Sequence, residues 1–359
     1  MENTAVCRKE NLNGLDIMKL VCAVMIVMIH VPPYTGTDTA AGAFLDLILK
    51  RYLLRIAVPF FFVCSGYLLY RKTAKGAFSM QPTWKYVKKL LRLYIIWSVL
   101  HLYPFCWNGI IGDKGGLLHG VINYLRYFLV IGSYGQLWYL PATIYGALMI
   151  SLLLYLKLSP RKIMCVAGLF YLLGLLGQTW YGLIEPLSGA APGLWSLIRL
   201  YDRVFRTTRN GFFEGFPFMA LGMLCAYRGF SLSKMKSLIG FALSMALLFA
   251  ELLFVEKRGF VRENNFYLCL APAVYFLFSL MGQLDLPDSP VYGIMRQLSS
   301  IMFYIHLWCK LFALRLCEKA GFPLSLPLLL LTLAFSLIAG GIMIRLSKVK
   351  GFRWLKYLY

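Results

Sequence analysis

His30 stands eleven residues after Lys19 and fourteen after Asp16, and the ten residues between Lys19 and His30 are all uncharged. At about 100° per residue, eleven steps make three turns plus about 20°, so Lys19 and His30 share one helix face roughly 16 Å apart, with Asp16 on the same face. A neutral imidazole near its ordinary pKa of about 6.5 can take a proton from a hydroxyl. An ammonium at the other end of the stripe can hold an anion. Ionisable groups inside an apolar span are costly and therefore mark a functional path.

Further polar groups sit at the ends of other apolar runs. Arg55 opens the run Arg55-Ile56-Ala57-Val58-Pro59-Phe60-Phe61, and could bind a carbonyl or an anion or tie helices together through Glu214 or Glu251. Thr208-Arg209-Asn210 precedes Glu214, Gln136-Leu137-Trp138-Tyr139 opens another run, and His306 lies in Tyr304-Ile305-His306. His30 reads as the general base. His306 reads equally well as a structural or a functional histidine, and Glu214 and Glu251 read as charge partners. Pro59, Gly66 and Pro141 read as residues that shape helices.

The elements that must position these groups are membrane helices. Of 359 residues, 60% are hydrophobic and 14% charged, far more apolar than a soluble domain at about 45–50%. At roughly 17–25 residues per span, ten helices are expected, centred near Val24, Phe61, Ile96, Ala147, Leu172, Leu221, Ala246, Val274, Ile305 and Phe335. The fold class is an all-α polytopic transmembrane bundle.

The net charge of +22 comes from lysine and arginine concentrated between spans, as topology signals and anionic lipid contacts require, and is not read as a nucleic-acid footprint. Segments 71–92, 157–162, 228–236 and 347–359 fall on one side together with Arg8 and Lys9, so both termini are expected in the cytoplasm. The expected organisation is a cytoplasmic segment 1–14, a transmembrane domain 15–346 and a basic cytoplasmic tail 347–359. The first apolar run reads as a retained helix. The longest loops are 107–136 and 181–210, both on the outer side. Arg199, Arg203, Arg206 and Arg209 recur at helical spacing in the second, either facing a common site or lying against solvent and headgroups.

Nine cysteines form no C-x-x-C pair and mostly occupy apolar runs, which indicates neither a disulfide framework nor a zinc site. No metal ligand set and no bound cofactor are expected.

With alternating spans, His30, Arg55, Arg209, Glu214, Glu251, Trp138 and Tyr139 come to the outer half of the bundle, which argues for a water-filled outer cavity. Together with Lys88-Lys89, Arg92, Tyr94 and Trp97, Ser65-Gly66-Tyr67 and Phe216-Pro217-Phe218, these motifs make the chain resemble the membrane-bound acyltransferase 3 family over nearly its whole length.

That resemblance implies transfer of an acyl group, commonly acetyl, from cytoplasmic acyl-CoA to a hydroxyl acceptor at the outer face, often an envelope glycan. It implies His30, Asp16 and Arg55 as catalytic residues. Lys19, Arg209, Asn210, Glu214, Trp138, Tyr139 and His306 would bind substrate, and the protein would sit in the plasma (inner) membrane. Two positions depart from the family pattern: Lys19 stands where the motif has arginine, and Gln136 where histidine often precedes Leu-Trp. Lysine at that place also resembles the membrane half of the vancomycin-resistance serine racemases, for which amino-acid transport has been inferred. Transport of a small amino acid such as serine is therefore the alternative function.

Overall fold

The computed structural model describes residues 12–34, 39–73 and 78–359. Segment 1–11, with Cys7, Arg8 and Lys9, lies outside the described residues. No strand occurs among them, and the chain is an all-α polytopic bundle. Each of the ten expected centres falls in a helix: α1 (Asn13–His30), α2 (Ala57–Thr73), α3 (Gln81–His101), α4 (Tyr139–Tyr155), α5 (Pro160–Leu175), α6 (Phe216–Arg228), α7 (Lys234–Lys257), α8 (Leu270–Gly282), α9 (Pro290–Ala320) and α10 (Leu326–Leu346). Among the described residues seven helical stretches are long and apolar enough to cross a membrane. The other three, α5, α6 and α8, have 13 to 16 residues, about 20–24 Å of helix.

Helix starts are set by recognisable chemistry. Ser159, Ser233 and Ser289 accept backbone N–H groups at the starts of α5, α7 and α9, with Pro160 and Pro290 at the first turn where a missing N–H costs nothing. Asn210 does the same for the turn before α6, accepting from Phe212 and Phe213.

Packing follows the small residues. α2 and α6 cross so closely that a Cβ at Gly66 would lie 1.9 Å from the Met219 carbonyl oxygen, and one at Gly222 2.0 Å from that of Val63. Without a hydrophobic drive between helices in lipid, such backbone approach supplies the packing contact. Tyr67, Phe60, Phe62, Phe216, Phe218 and Phe278 fill the core around this crossing. α9 packs on both α1 and α10.

The two expected long loops carry helices of their own. Leu117–Val130 and Pro192–Phe205 leave Leu117, Leu118, Ile122, Leu125 and Leu129, and Leu194, Leu197 and Leu200, exposed along their lengths. This is the pattern of a helix lying in a membrane interface. Three candidate site residues stand on irregular turns that lead into helices: Arg55 on a 3-10 turn before α2, Trp138 on another before α4, and Glu214 on a wide π turn before α6. Such turns aim side chains where a regular helix would not.

Candidate functional site

The basic segments meet at one end of the bundle. Thr83 of α3 bonds Ser151 of α4 at 2.7 Å, Phe230 stacks on Tyr67 near the end of α2, and Tyr359 reaches the wall formed by α1 and α9. A cavity of about 780 Å³ opens among them. Lys19, Lys72, Lys85, Lys89 and Arg296 line it together with Phe61, Ser65, Tyr139 and Tyr304. Along α1 it extends from Lys19 to Ile26, and along α9 from Arg296 to Tyr304, about 10–12 Å of helix.

The next turn of both helices carries a histidine. His30 Nδ1 bonds the Ile26 carbonyl at 2.9 Å, and His306 Nδ1 lies 3.0 Å from the carbonyls of Met302 and Phe303. The imidazoles meet with ring centroids 4.9 Å apart. A ring nitrogen facing a carbonyl carries its proton, so each histidine keeps its Nε2 lone pair for other work. His306 Nε2 is buried with no partner. His306 is thus a candidate site residue beside His30.

Asp16 does not orient His30. It lies fourteen residues back, about 21 Å along α1, where it pairs with Lys19 at 3.4 Å and Arg296 at 3.4 Å. The Ile26 carbonyl does the orienting, because a C-terminal helix carbonyl one turn away is the nearest acceptor. Lys310 Nζ bonds the carbonyl of His30 itself at 3.0 Å and sets a cation next to the imidazole.

A second cluster forms where the starts of α2, α4, α6 and α8 converge. Arg55 donates to Asn265 Oδ1 at 3.3 Å and Asn264 Oδ1 at 3.2 Å, and Arg209 donates to the same Asn265 oxygen at 3.2 Å. Arg209 lies over the Trp138 ring, 5.0 Å from its centroid. Asn265 is held in turn by Gln178 and Glu263, and Glu263 by Thr207. Asn210 binds Tyr201 and the Thr207 carbonyl, so it shapes the turn that presents Arg209 and does not face the cluster.

Trp138 and Tyr139 divide the two regions. Trp138 backs Arg209, whereas Tyr139 lines the basic cavity, bonds Ser65 at 3.2 Å and packs on Phe303.

Neither glutamate pairs with Arg55. Glu251 accepts Trp180 Nε1 and the backbone N–H groups of Leu268 and Cys269, because the start of α8 needs acceptors there. Glu214 is 2% exposed, and its Oε2 has no partner. Of the four arginines at helical spacing, Arg199, Arg203 and Arg206 are exposed and only Arg209 turns inward. The helix ends at Phe205, and Arg206 takes a left-handed φ of 58° that reverses the chain.

Sequence reasoning missed Lys310, Asn264, Asn265, Gln178 and His101. His101 is fully buried, bonds the Trp97 carbonyl through Nδ1 and meets the Gln136 amide at Nε2, 3.0 Å away. Gln136 therefore serves as the partner of a buried histidine. Among the described residues no group of three His, Cys, Asp or Glu side chains could hold a metal ion.

Comparison with known proteins places these features in a family. Residues 12–358 match the family model described as an acyltransferase domain. A serine/alanine racemase of Enterococcus gallinarum is 30% identical over 272 residues, covering 75% of this chain and 37% of that protein. An amino-acid racemase of Enterococcus faecalis is 30% identical over 282 residues, covering 76% and 38%. The chain thus spans less than two-fifths of the length of these relatives. No solved structure matches it.

Proposed function

Because the chain belongs to the acyltransferase 3 family of membrane acyltransferases, we propose that it moves an acyl group, most simply acetyl, from acyl-CoA to a hydroxyl acceptor on the opposite face of the plasma membrane. The supporting observation is the basic cavity that stops one helical turn below the histidine pair. Its floor residues Ile26 and Phe303 supply the carbonyls that bind His30 and His306.

In this reading the donor enters from the cytoplasmic face. Lys19, Lys72, Lys85, Lys89 and Arg296 bind the phosphates of the coenzyme as charge-assisted donors. Asp16 holds Lys19 and Arg296 in place and takes no part in the chemistry. The pantetheine arm lies along the apolar wall between Phe61, Tyr139 and Tyr304 and brings the thioester to the histidines. Both ends of the described chain then face the cytoplasm.

The acceptor, a glycan hydroxyl of the cell envelope, arrives from the other side. His30 Nε2 takes the hydroxyl proton as the oxygen attacks the thioester carbonyl. Positive charge from Lys310, beside His30, stabilises the tetrahedral oxyanion. The carbon–sulfur bond then breaks, the coenzyme leaves as thiolate, and the imidazolium returns the proton to give the free thiol. Ester and thiol are the products, and the histidine ends as it began.

The test is transfer of labelled acetyl by the protein in proteoliposomes, with envelope material as acceptor and mass spectrometry to identify the product. Loss of transfer with His30→Ala supports the reading, and unchanged transfer overturns it. An amino-acid transporter would instead give saturable serine flux with no donor present. The cluster of five cations around an apolar cavity favours the coenzyme reading, since a small zwitterion needs no such array.

A further inference from the structure

Seven buried side-chain polar atoms among the described residues have no hydrogen-bond partner, and four of them gather at the arginine cluster: Arg55 Nε, Arg209 Nε, Glu214 Oε2 and Tyr267 Oη. Buried polar atoms in native proteins are nearly always satisfied, so four together mark a place built for a ligand. Glu214 is 2% exposed and Tyr267 fully buried, and both interact electrostatically with Arg55.

Charge says what kind of ligand. Two guanidiniums share the single amide oxygen of Asn265. A neutral amide satisfies their geometry without neutralising them, and no described carboxylate forms an ion pair with either. Glu263 is committed to Thr207, Gln178 and Asn265. Confining two cations this closely is costly unless an anion joins them.

We infer that the cluster of Arg55, Arg209, Asn265 and Tyr267 binds a carboxylate carried by the acceptor, so that the acyl group is delivered to a hydroxyl on an acidic molecule. This deepens the acyl-transfer reading and rests on it for the hydroxyl chemistry. A planar carboxylate matches the guanidinium fork with two parallel bonds. Glu214 lies buried in the field of both arginines and forms an ion pair with neither, so it leaves their charge for the ligand. Trp138, lying under Arg209, fixes the fork in orientation. A sugar acid and a hydroxylated amino acid share this chemistry, and the experiment separates them.

The protein in proteoliposomes is given acetyl-CoA and acceptors with the same hydroxyls that differ in whether the acid is free or an amide: methyl glucuronide against methyl glucuronamide, and serine against serinamide. One pair or the other is expected to show at least a 10-fold preference in kcat/KM for the carboxylate, the factor a charge-assisted bond supports. Asn265→Asp supplies the missing anion from within and should abolish the preference while the protein still folds. Arg55→Gln should do the same. Equal transfer to charged and neutral partners overturns the inference and leaves acyl transfer standing. A stronger response to glucose 6-phosphate than to methyl glucuronide also overturns it.

Donor-free binding separates this failure from failure of the acyl-transfer reading. In detergent and without acetyl-CoA, the preferred carboxylate should raise the thermal midpoint of the wild type but not of Asn265→Asp, and its neutral partner should raise neither. No stabilisation by any carboxylate overturns the site whatever the transfer assay gives.

Discussion

The imidazoles of His30 and His306 lie 4.9 Å apart at 52° between ring planes, each tied through Nδ1 to a carbonyl one turn back on its own helix. The pair is therefore held by two backbones and not by a carboxylate. The ring pair lies within about a turn of the last residues lining the basic cavity and beside the cations Lys310 and Arg209. In the proposed reaction a base so placed serves the face opposite the donor's point of arrival.

His30→Ala is expected to lower transfer about 10²–10⁴-fold, the usual contribution of a general base. His306→Ala should lower it about 10-fold, and the double variant should lose no more than His30→Ala alone, since groups acting as one unit are not additive. Losses that simply multiply would show the two rings to be independent. Initial rates at saturating acetyl-CoA decide it.

Charge removal at the cavity should act on donor binding alone. Lys85→Ala with Lys89→Ala is expected to raise KM for acetyl-CoA about 3- to 10-fold and leave kcat unchanged. Lysines that remain partly in water contribute less than buried ones, hence the modest factor. Raised salt should mimic the substitution and affect the variant less than the wild type. A fall in kcat with constant KM would move these lysines out of the donor site.

The bundle and the stripe from Lys19 to His30 were legible because helix period and apolar length are written locally. Arg55, Arg209 and Trp138 were legible as polar groups at the ends of apolar runs. The partners were not. Asn264 and Asn265 sit in an ordinary polar loop whose side chains gain meaning only when the starts of α2 and α6 arrive beside it. Nothing in the sequence singles out Lys310, one turn after His306, and its bond to the His30 carbonyl depends on how α9 packs against α1. The partner of Asp16 was hidden for the same reason: sharing a face with His30 says nothing about the Arg296 that α9 brings to it.

The α2–α6 crossing should tolerate no side chain at its contact. At Gly66 and Gly222 a Cβ would enter a neighbouring backbone carbonyl, so Gly66→Val or Gly222→Val is expected to cost at least the 1–3 kcal/mol typical of overpacking, about. The readout is a lower thermal midpoint in detergent. Gly341→Ala, in α10 with nothing within 4 Å of its Cβ position, is the control. It should stabilise by about 0.5–1 kcal/mol through backbone entropy.

Glu251 tests whether the loop ahead of α8 is a working part of the acceptor site. Its carboxylate takes three N–H donors, from Trp180, Leu268 and Cys269, at 2.7, 2.7 and 2.9 Å. Glutamine keeps the shape but turns one acceptor into a donor facing another donor, leaving at least one buried N–H unsatisfied at about 1–3 kcal/mol. Glu251→Gln should therefore lower the thermal midpoint. It should also loosen the loop that carries Asn264 and Asn265 to the arginines, raising KM for the acceptor several-fold while KM for acetyl-CoA stays constant. The basic cavity, proposed to take the donor, shares no residue with this loop. If stability falls but both KM values hold, the loop is structural only, and the arginines are positioned without it.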